Sequence, residues 1–270
     1  MDIKKVHLIY FSPTRTTKQV LQYLADGFSD VEVVHIDITY PDSDFVLDIP
    51  ANELAIFGVP VYGGRVAQVA LARLKNIKTT GAPAIIVAVY GNREFEDALI
   101  ELKDLVEVHG FKPLAACTFI GEHSFSEPAA LIAPGRPDAE DIKTAKHYGM
   151  TIQNHLQKAN VLEEMITVDV PGNVPYKKGV GSIPFTPEID DSICTQCGEC
   201  LPVCPTGAIT LVNSVKIDMG TCIFCCSCKK SCPETAIAIV APPIRRKMEI
   251  LSHKSMGRKE PQLFLHDIFE

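Results

Sequence analysis

The feature that most constrains this chain is a cysteine-rich stretch that repeats itself. Nine of the ten cysteines fall between Cys194 and Cys232, in two copies of one pattern offset by 28 residues. Cys194, Cys197, Cys200 and Cys204 precede Pro205, and Cys222, Cys225, Cys228 and Cys232 precede Pro233. Each copy reads C-x2-C-x2-C-x3-C-P. Gaps this short and this regular do not suit a disulfide framework. Structural zinc sites join two C-x2-C knuckles across a longer gap, whereas here three cysteines run in series. The pattern therefore points to a polynuclear metal centre. Residues 188–240 carry few apolar side chains of their own: Ile189, Ile193, Val203, Ile209, Val215, Ile217 and Ile237. A module of that size is marginal without a staple, so the metal is expected to hold it together.

Thiols at this density work best where they stay reduced. The N-terminus, MDIKKVHLIYFS, has no long apolar segment and no small-residue cleavage site. The longest apolar runs, such as 84–89, fall far short of the ~20 residues that cross a bilayer. A cytoplasmic protein without a membrane span is expected. A net charge of −7 also argues against non-specific nucleic-acid binding, which needs a dense basic face.

The first 160 residues alternate strand-like and helix-like patterns. Strands are expected at 6–11, 31–38, 54–61, 84–90 and 114–120, with helices at 16–28, 66–74, 95–108 and 139–156. The strands are apolar throughout rather than alternating, as happens when helices cover both faces of a sheet. Five such units predict a doubly wound, five-stranded parallel sheet in an α/β domain over 1–160. Residues 161–187 lose the periodicity and read as a linker. The cysteine module follows at 188–240, and a tail at 241–270 has its most basic part at 245–259. That part reads either as a solvated or packed arm, or as a docking site for an acidic redox partner.

After the first strand comes Ser12-Pro13-Thr14-Arg15-Thr16-Thr17, leading straight into a helix. Such a junction is an anion site, because free backbone N–H groups and the positive helix end face the loop. No GxxxxGK[ST] occurs, so nucleotide triphosphate hydrolysis has no support, and GxGxxG is missing after this strand. Gly179-Val180-Gly181 lies in the linker and is set aside. The loop resembles the first loop of the flavodoxin family, T/S-x-T-G-x-T, with Arg15 in place of its glycine. That resemblance implies FMN, its phosphate held by residues 12–17. Ligands of this fold lie beyond the carboxyl ends of the strands. The ring is thus expected between Pro60-Val61-Tyr62-Gly63-Gly64-Arg65 and Tyr90-Gly91-Asn92-Arg93. Tyr62 and Tyr90 serve there as stacking platforms or as ordinary packing. Arg65 either stabilises a reduced flavin or is solvated at a helix start. In the long loop 121–137, His123 either donates a proton to flavin or bonds to nearby backbone. Cys117 reads as a buried thiol.

The cysteine repeat resembles the bacterial two-[4Fe–4S] ferredoxin family, a small α+β domain. In that family the fourth cysteine of each motif ligates the other cluster. The resemblance implies one cluster on Cys194, Cys197, Cys200 and Cys232, and a second on Cys222, Cys225, Cys228 and Cys204. Cys226 departs from the pattern, as an unligated thiol or as a substitute ligand. The whole arrangement resembles the flavodoxin–ferredoxin fusion proteins of anaerobic bacteria and archaea. It implies an electron-transfer flavoprotein that passes single electrons between two [4Fe–4S] clusters and FMN. Its partner would be another redox protein, a ferredoxin or an oxidoreductase, and a homodimer is left open. A flavin-dependent reductase of a quinone or nitro compound, and an iron–sulfur redox sensor, are the alternatives.

Overall fold

The computed structural model describes residues 1–41, 46–158, 166–179, 181 and 183–266. The apolar run after the N-terminus forms β1 (Lys5–Tyr10), which is buried beyond its first residue, and α1 (Thr16–Ala25) follows. Next come β2 (Glu32–Asp37), β3 (Leu47–Ile49), β4 (Leu54–Tyr62), β5 (Arg65–Val66) and α2 (Gln68–Leu74). The domain continues through β6 (Ile77–Thr79), β7 (Pro83–Tyr90), α3 (Ala98–Val108), β8 (Lys112–Ile120) and α4 (Ala139–Lys158).

The parallel strands lie side by side in the order β8-β7-β4-β1-β2. Numbered among themselves along the chain, these five strands run 2-1-3-4-5, the doubly wound order of the flavodoxin-like fold. One core layer carries Leu8, Tyr10, Val20, Leu21, Leu24, Ile56, Phe119 and Ile152 beneath α1 and α4. The other carries Ile9, Phe11, Phe57, Ala70, Leu99, Leu102 and Val106 beneath α2 and α3. Both faces are covered, which is why the strand sequences do not alternate. The order in which strands are added to the sheet reverses between β1 and β4, leaving a crevice at the carboxyl ends of these strands.

Three local features depart from the sequence expectation. β4 runs on to Tyr62 and turns through Gly63 (φ 63°) and Gly64 (φ 84°) into β5, pairing Val61 with Val66 and Tyr62 with Arg65. Two successive positive φ angles make the tight hairpin turn that glycine favours, so the helix begins only at Gln68. β3 and β6 form a small parallel pair beside the main sheet, built on segments that the sequence left without structure. The central sheet is also not purely parallel, as described next.

The C-terminal region contains β9 (Glu188–Ile189), β10 (Ile209–Leu211), β11 (Val215–Ile217), α5 (Ser227–Ser231), β12 (Ile237–Ala238), α6 (Pro242–Lys254) and β13 (Gln262–Leu265). β13 joins the central sheet antiparallel to β8, pairing Leu263 with Cys117 and Phe264 with Ala116. It shields an edge that would otherwise present unpaired backbone groups. Residues 161–165 of the expected linker lie outside the described residues. The part beyond is bound to the α/β domain: Val168 donates its N–H to Pro113 O at 2.8 Å, and Val168 and Val170 enter the core. No helix among the described residues is long and apolar enough to cross a membrane.

The two cysteine repeats fold alike. β9 pairs with β12 and β10 with β11. Left-handed backbone recurs at the same 28-residue offset in three places: Gln196 and Phe224, Gly198 and Cys226, Gly207 and Thr235. The N–H groups of Ala208 and Ala236 donate to the sulfurs of Cys204 and Cys232, at 3.2 and 3.3 Å.

Candidate functional site

A cavity of about 420 Å³ opens at the carboxyl ends of β1, β4 and β7. Twelve of the sixteen residues expected around a flavin line it: Pro13, Thr14, Thr16, Thr17, Pro60, Val61, Tyr62, Gly63, Arg65, Tyr90, Gly91 and Arg93. Ser12, Arg15, Gly64 and Asn92 are not among its lining residues.

Those four act on the loops instead. Ser12 donates its N–H to Thr39 Oγ1 at 2.8 Å, and its Oγ accepts from Lys18 N at 3.0 Å. This hydroxyl satisfies a first-turn donor of α1. Arg15 takes the left-handed conformation, φ 65°, which glycine adopts more readily than other residues, and its side chain is exposed. Gly64 belongs to the turn after β4. Asn92 is buried and donates through Nδ2 to Ser255 O at 2.6 Å and Gly257 O at 2.7 Å, holding the C-terminal arm.

At the loop end of the cavity, the N–H groups of Thr14, Thr16 and Thr17 have no partner among the described residues. The first turn of α1 holds no acidic side chain. Unpaired donors, three cavity-lining threonines and the positive helix end fit a phosphate group.

The aromatic and basic walls are more constrained than the sequence implied. Tyr90 is 5 % exposed and stands edge-on to Phe95, with centroids 5.6 Å apart. Burial pushes its phenol up to about 12. Tyr62 is half-buried, and its phenol is raised by burial and by the nearby thiols of Cys225 and Cys226. Arg65 lines the cavity with its guanidinium already paired rather than solvated. Its Nε donates to Glu101 Oε2 at 2.8 Å, its Nη1 to Lys177 O at 2.6 Å, and the guanidinium lies 4.7 Å from the Tyr176 ring centre. Because Glu101 neutralises it, Arg65 brings little net charge to the cavity. Arg93 is likewise paired, with Glu96 at 2.8 Å.

Residues 66–69, 89 and 121–125 of the same domain complete its near walls, and further walls come from segments the sequence did not connect with this site: Gly179, Gly181 and Ile183 from the expected linker, residues 220–224 from the second cysteine loop, and Lys247 and Leu251 from α6. Long-range contacts hold these pieces together. The Ser227 hydroxyl donates to Pro13 O at 2.6 Å, Arg73 Nη2 donates to Pro205 O at 2.7 Å, and Lys229 pairs with Glu127 at 3.1 Å. The phosphate-type loop and the second cysteine loop are therefore in direct contact.

Cys194, Cys197, Cys200 and Cys232 line one void, together with Ile189, Val215 and Ile237. Burial raises the Cys200 thiol, with further contributions from Cys197, Cys232 and Cys194. Burial pushes the thiols of Cys225 and Cys228 up to about 12, and both also feel Cys204 and Cys222. Cys232 of the second repeat thus lies beside the first trio, and Cys204 of the first repeat is within electrostatic reach of Cys225 and Cys228. Among the described residues, no three His, Cys, Asp or Glu side chains converge on a single-ion site. All ten cysteines are free thiols, none in a disulfide. Cys226 sits at the left-handed position held by Gly198 in the first repeat, φ 62° against 80°. It is 1 % exposed and packs with Phe224, Ile239, Ala241, Ile244 and Met248. Cys117 is fully buried in β8.

Residues 186–209 match the 4Fe-4S binding domain family. Among solved structures, the chain is similar to a flavodoxin of Streptococcus pneumoniae TIGR4 (17 % identity, 55 % of this chain and 99 % of that chain, TM-score 0.39). It is also similar to flavodoxin 1 of Bacillus cereus (15 % identity, 56 % and 99 %, TM-score 0.40). A further likeness is to the flavodiiron core of Flv1 from Synechocystis sp. PCC6803, at 18 % identity and TM-score 0.42, covering 58 % of this chain and 37 % of that one. No curated protein matches the chain. The strand order defines a flavodoxin-like α/β fold, and a segment that matches the 4Fe-4S binding domain family follows it in the same chain.

Proposed function

We propose that the chain is an electron-transfer flavoprotein that relays single electrons between two [4Fe–4S] clusters and FMN. Thr14, Thr16 and Thr17 hold the phosphate with backbone N–H groups and hydroxyls. The loops at 60–65 and 90–93 hold the ring, with Tyr62 and Tyr90 against it. Cys194, Cys197, Cys200 and Cys232 hold one cluster, and Cys222, Cys225, Cys228 and Cys204 the other. When bound, FMN supplies a centre that takes one or two electrons, and each cluster one at a time. The protein's contribution is to keep these groups close and out of water. One observation carries this reading: the loop with Cys222 and the loop with Thr14 line the same cavity. Within one chain, donor and acceptor meet without a diffusional encounter. The partner is a separate redox protein, and the reduced thiols suit a reducing compartment such as the cytoplasm.

Protein purified without oxygen is expected to be brown, with about eight iron atoms per chain and one releasable FMN. Anaerobic titration followed by optical and EPR spectra should resolve both kinds of centre. Zinc among the sulfurs, or a chain that takes up no FMN on reconstitution, would overturn the reading.

A further inference from the structure

We propose that His123 is a positioning residue for the flavin, donating a hydrogen bond through Nε2–H to an acceptor on the polar edge of the ring. The proposal rests on the FMN reading above and assigns the site a residue that the loop motifs do not identify.

His123 lies in the loop that follows β8 and lines the cavity. Its Nδ1 accepts the N–H of Phe125 at 3.0 Å. A ring nitrogen that accepts carries no proton, so the neutral imidazole holds its hydrogen on Nε2. Among the described residues, no partner is found for that Nε2. The backbone bond and the cavity thus divide the ring between them: one nitrogen fixes the tautomer, and the other is left for a ligand.

Gly91 supplies independent support. It does not have a positive φ, so its backbone conformation does not require glycine. A Cβ there would stand 2.3 Å from His123 Cδ2. Position 91 is small because the imidazole needs the room, and residue 91 belongs to the loop that faces the ring. Phe125 packs on the imidazole with centroids 4.9 Å apart and stands edge-on to Phe224 of the second cysteine loop at 5.4 Å. The ring is therefore fixed from two sides.

The charged groups around it decide which kind of donor His123 is. Burial, with Lys230, Arg93 and Lys247, holds its pKa down to about 4. His123 stays neutral near pH 7 and acts as a hydrogen-bond donor rather than as an acid. The polar edge of a flavin gains negative charge on reduction, and hydrogen bonds to charged acceptors are roughly twice as strong as neutral ones. The contact should favour the reduced form.

The test uses the full chain with its clusters in place, stripped of flavin and titrated with FMN by fluorescence in the oxidised form. The reduced form is obtained from the midpoint potential. His123→Leu is expected to weaken oxidised FMN about fivefold and reduced FMN by at least a further fivefold. His123→Gln, whose amide N–H replaces the donor, should recover most of both. Gly91→Ala, which displaces the ring, should fall on the side of His123→Leu. Iron content and cluster EPR of all variants should match the parent. Equal weakening of both redox forms without rescue by glutamine, or no change in either, would overturn the proposal. A parent chain that binds no FMN would instead sink the functional reading beneath it.

Discussion

The two cysteine repeats have the same spacing and the same backbone turns but very different surroundings. In the first, Thr195, Gln196, Cys197 and Glu199 are exposed. In the second, Phe224, Cys225, Cys226, Ser227 and Cys228 are all buried. The second loop lies against the α/β domain, where Gly220–Phe224 (220–224) walls the cavity and Ser227 bonds to Pro13. The first loop has no such neighbour along its cavity-forming residues. Two chemically equivalent motifs thus acquire different positions, one beside the cavity of the α/β domain and one facing solvent. Local sequence sets what each loop can bind, and the docking of the module sets what each can reach.

The largest expected effect concerns the module as a whole. Removing iron by chelation should unfold residues 188–240 and expose the cavity, while the α/β core persists, as read by amide exchange. A module that stays protected without metal would break the staple argument.

Substitution of ligands then separates the two loops. Cys225→Ser, in the buried loop, should lose its cluster and weaken FMN binding roughly tenfold, equivalent to 1.4 kcal/mol. Cys197→Ser, in the exposed loop, should lose the other cluster and leave FMN affinity nearly unchanged. Cluster EPR and flavin fluorescence measured on the same samples distinguish them. Equal effects on FMN would erase the difference between inner and outer loops.

Ser227→Ala removes the buried hydroxyl that bonds to Pro13 O, and should cost about 1 kcal/mol in denaturant unfolding. FMN affinity should fall in step, because the same bond steadies the phosphate-type loop. The smallest effect is expected for Arg15→Gly. It relieves a left-handed residue that costs roughly 1–2 kcal/mol, offset in part by the greater unfolded-state entropy of glycine. A small rise in thermal midpoint with unchanged FMN affinity is expected, since Arg15 does not line the cavity. Loss of FMN binding would show that the guanidinium reaches the phosphate after all.

Much of this was legible from local pattern. Cysteines three residues apart can only surround something close by, and their spacing survives without knowledge of the rest of the chain. Continuous apolar runs such as 84–90 announce strands covered on both faces, and the loop from Ser12 to Thr17 announces an anion site before a helix. What escaped were contacts between residues far apart in sequence. Arg65 finds Glu101, Asn92 finds the backbone at Ser255 and Gly257, and β13 finds the edge of β8. Nothing in the short segment Gln262–Leu265 distinguishes an edge strand from a tail, and nothing in α6 marks Lys247 and Leu251 as walls of a cavity.

By itself, then, the sequence determined the strand and helix alternation, the thiol motifs and the turn able to hold an anion, because each depends on neighbours within a few residues. Tertiary structure alone decided which cysteine loop lies against the cavity, which basic residues are already neutralised, and which nitrogen of His123 is left for a ligand. These depend on how packed surfaces meet, and burial and hydrogen bonding across that junction act between residues that local periodicity cannot bring together.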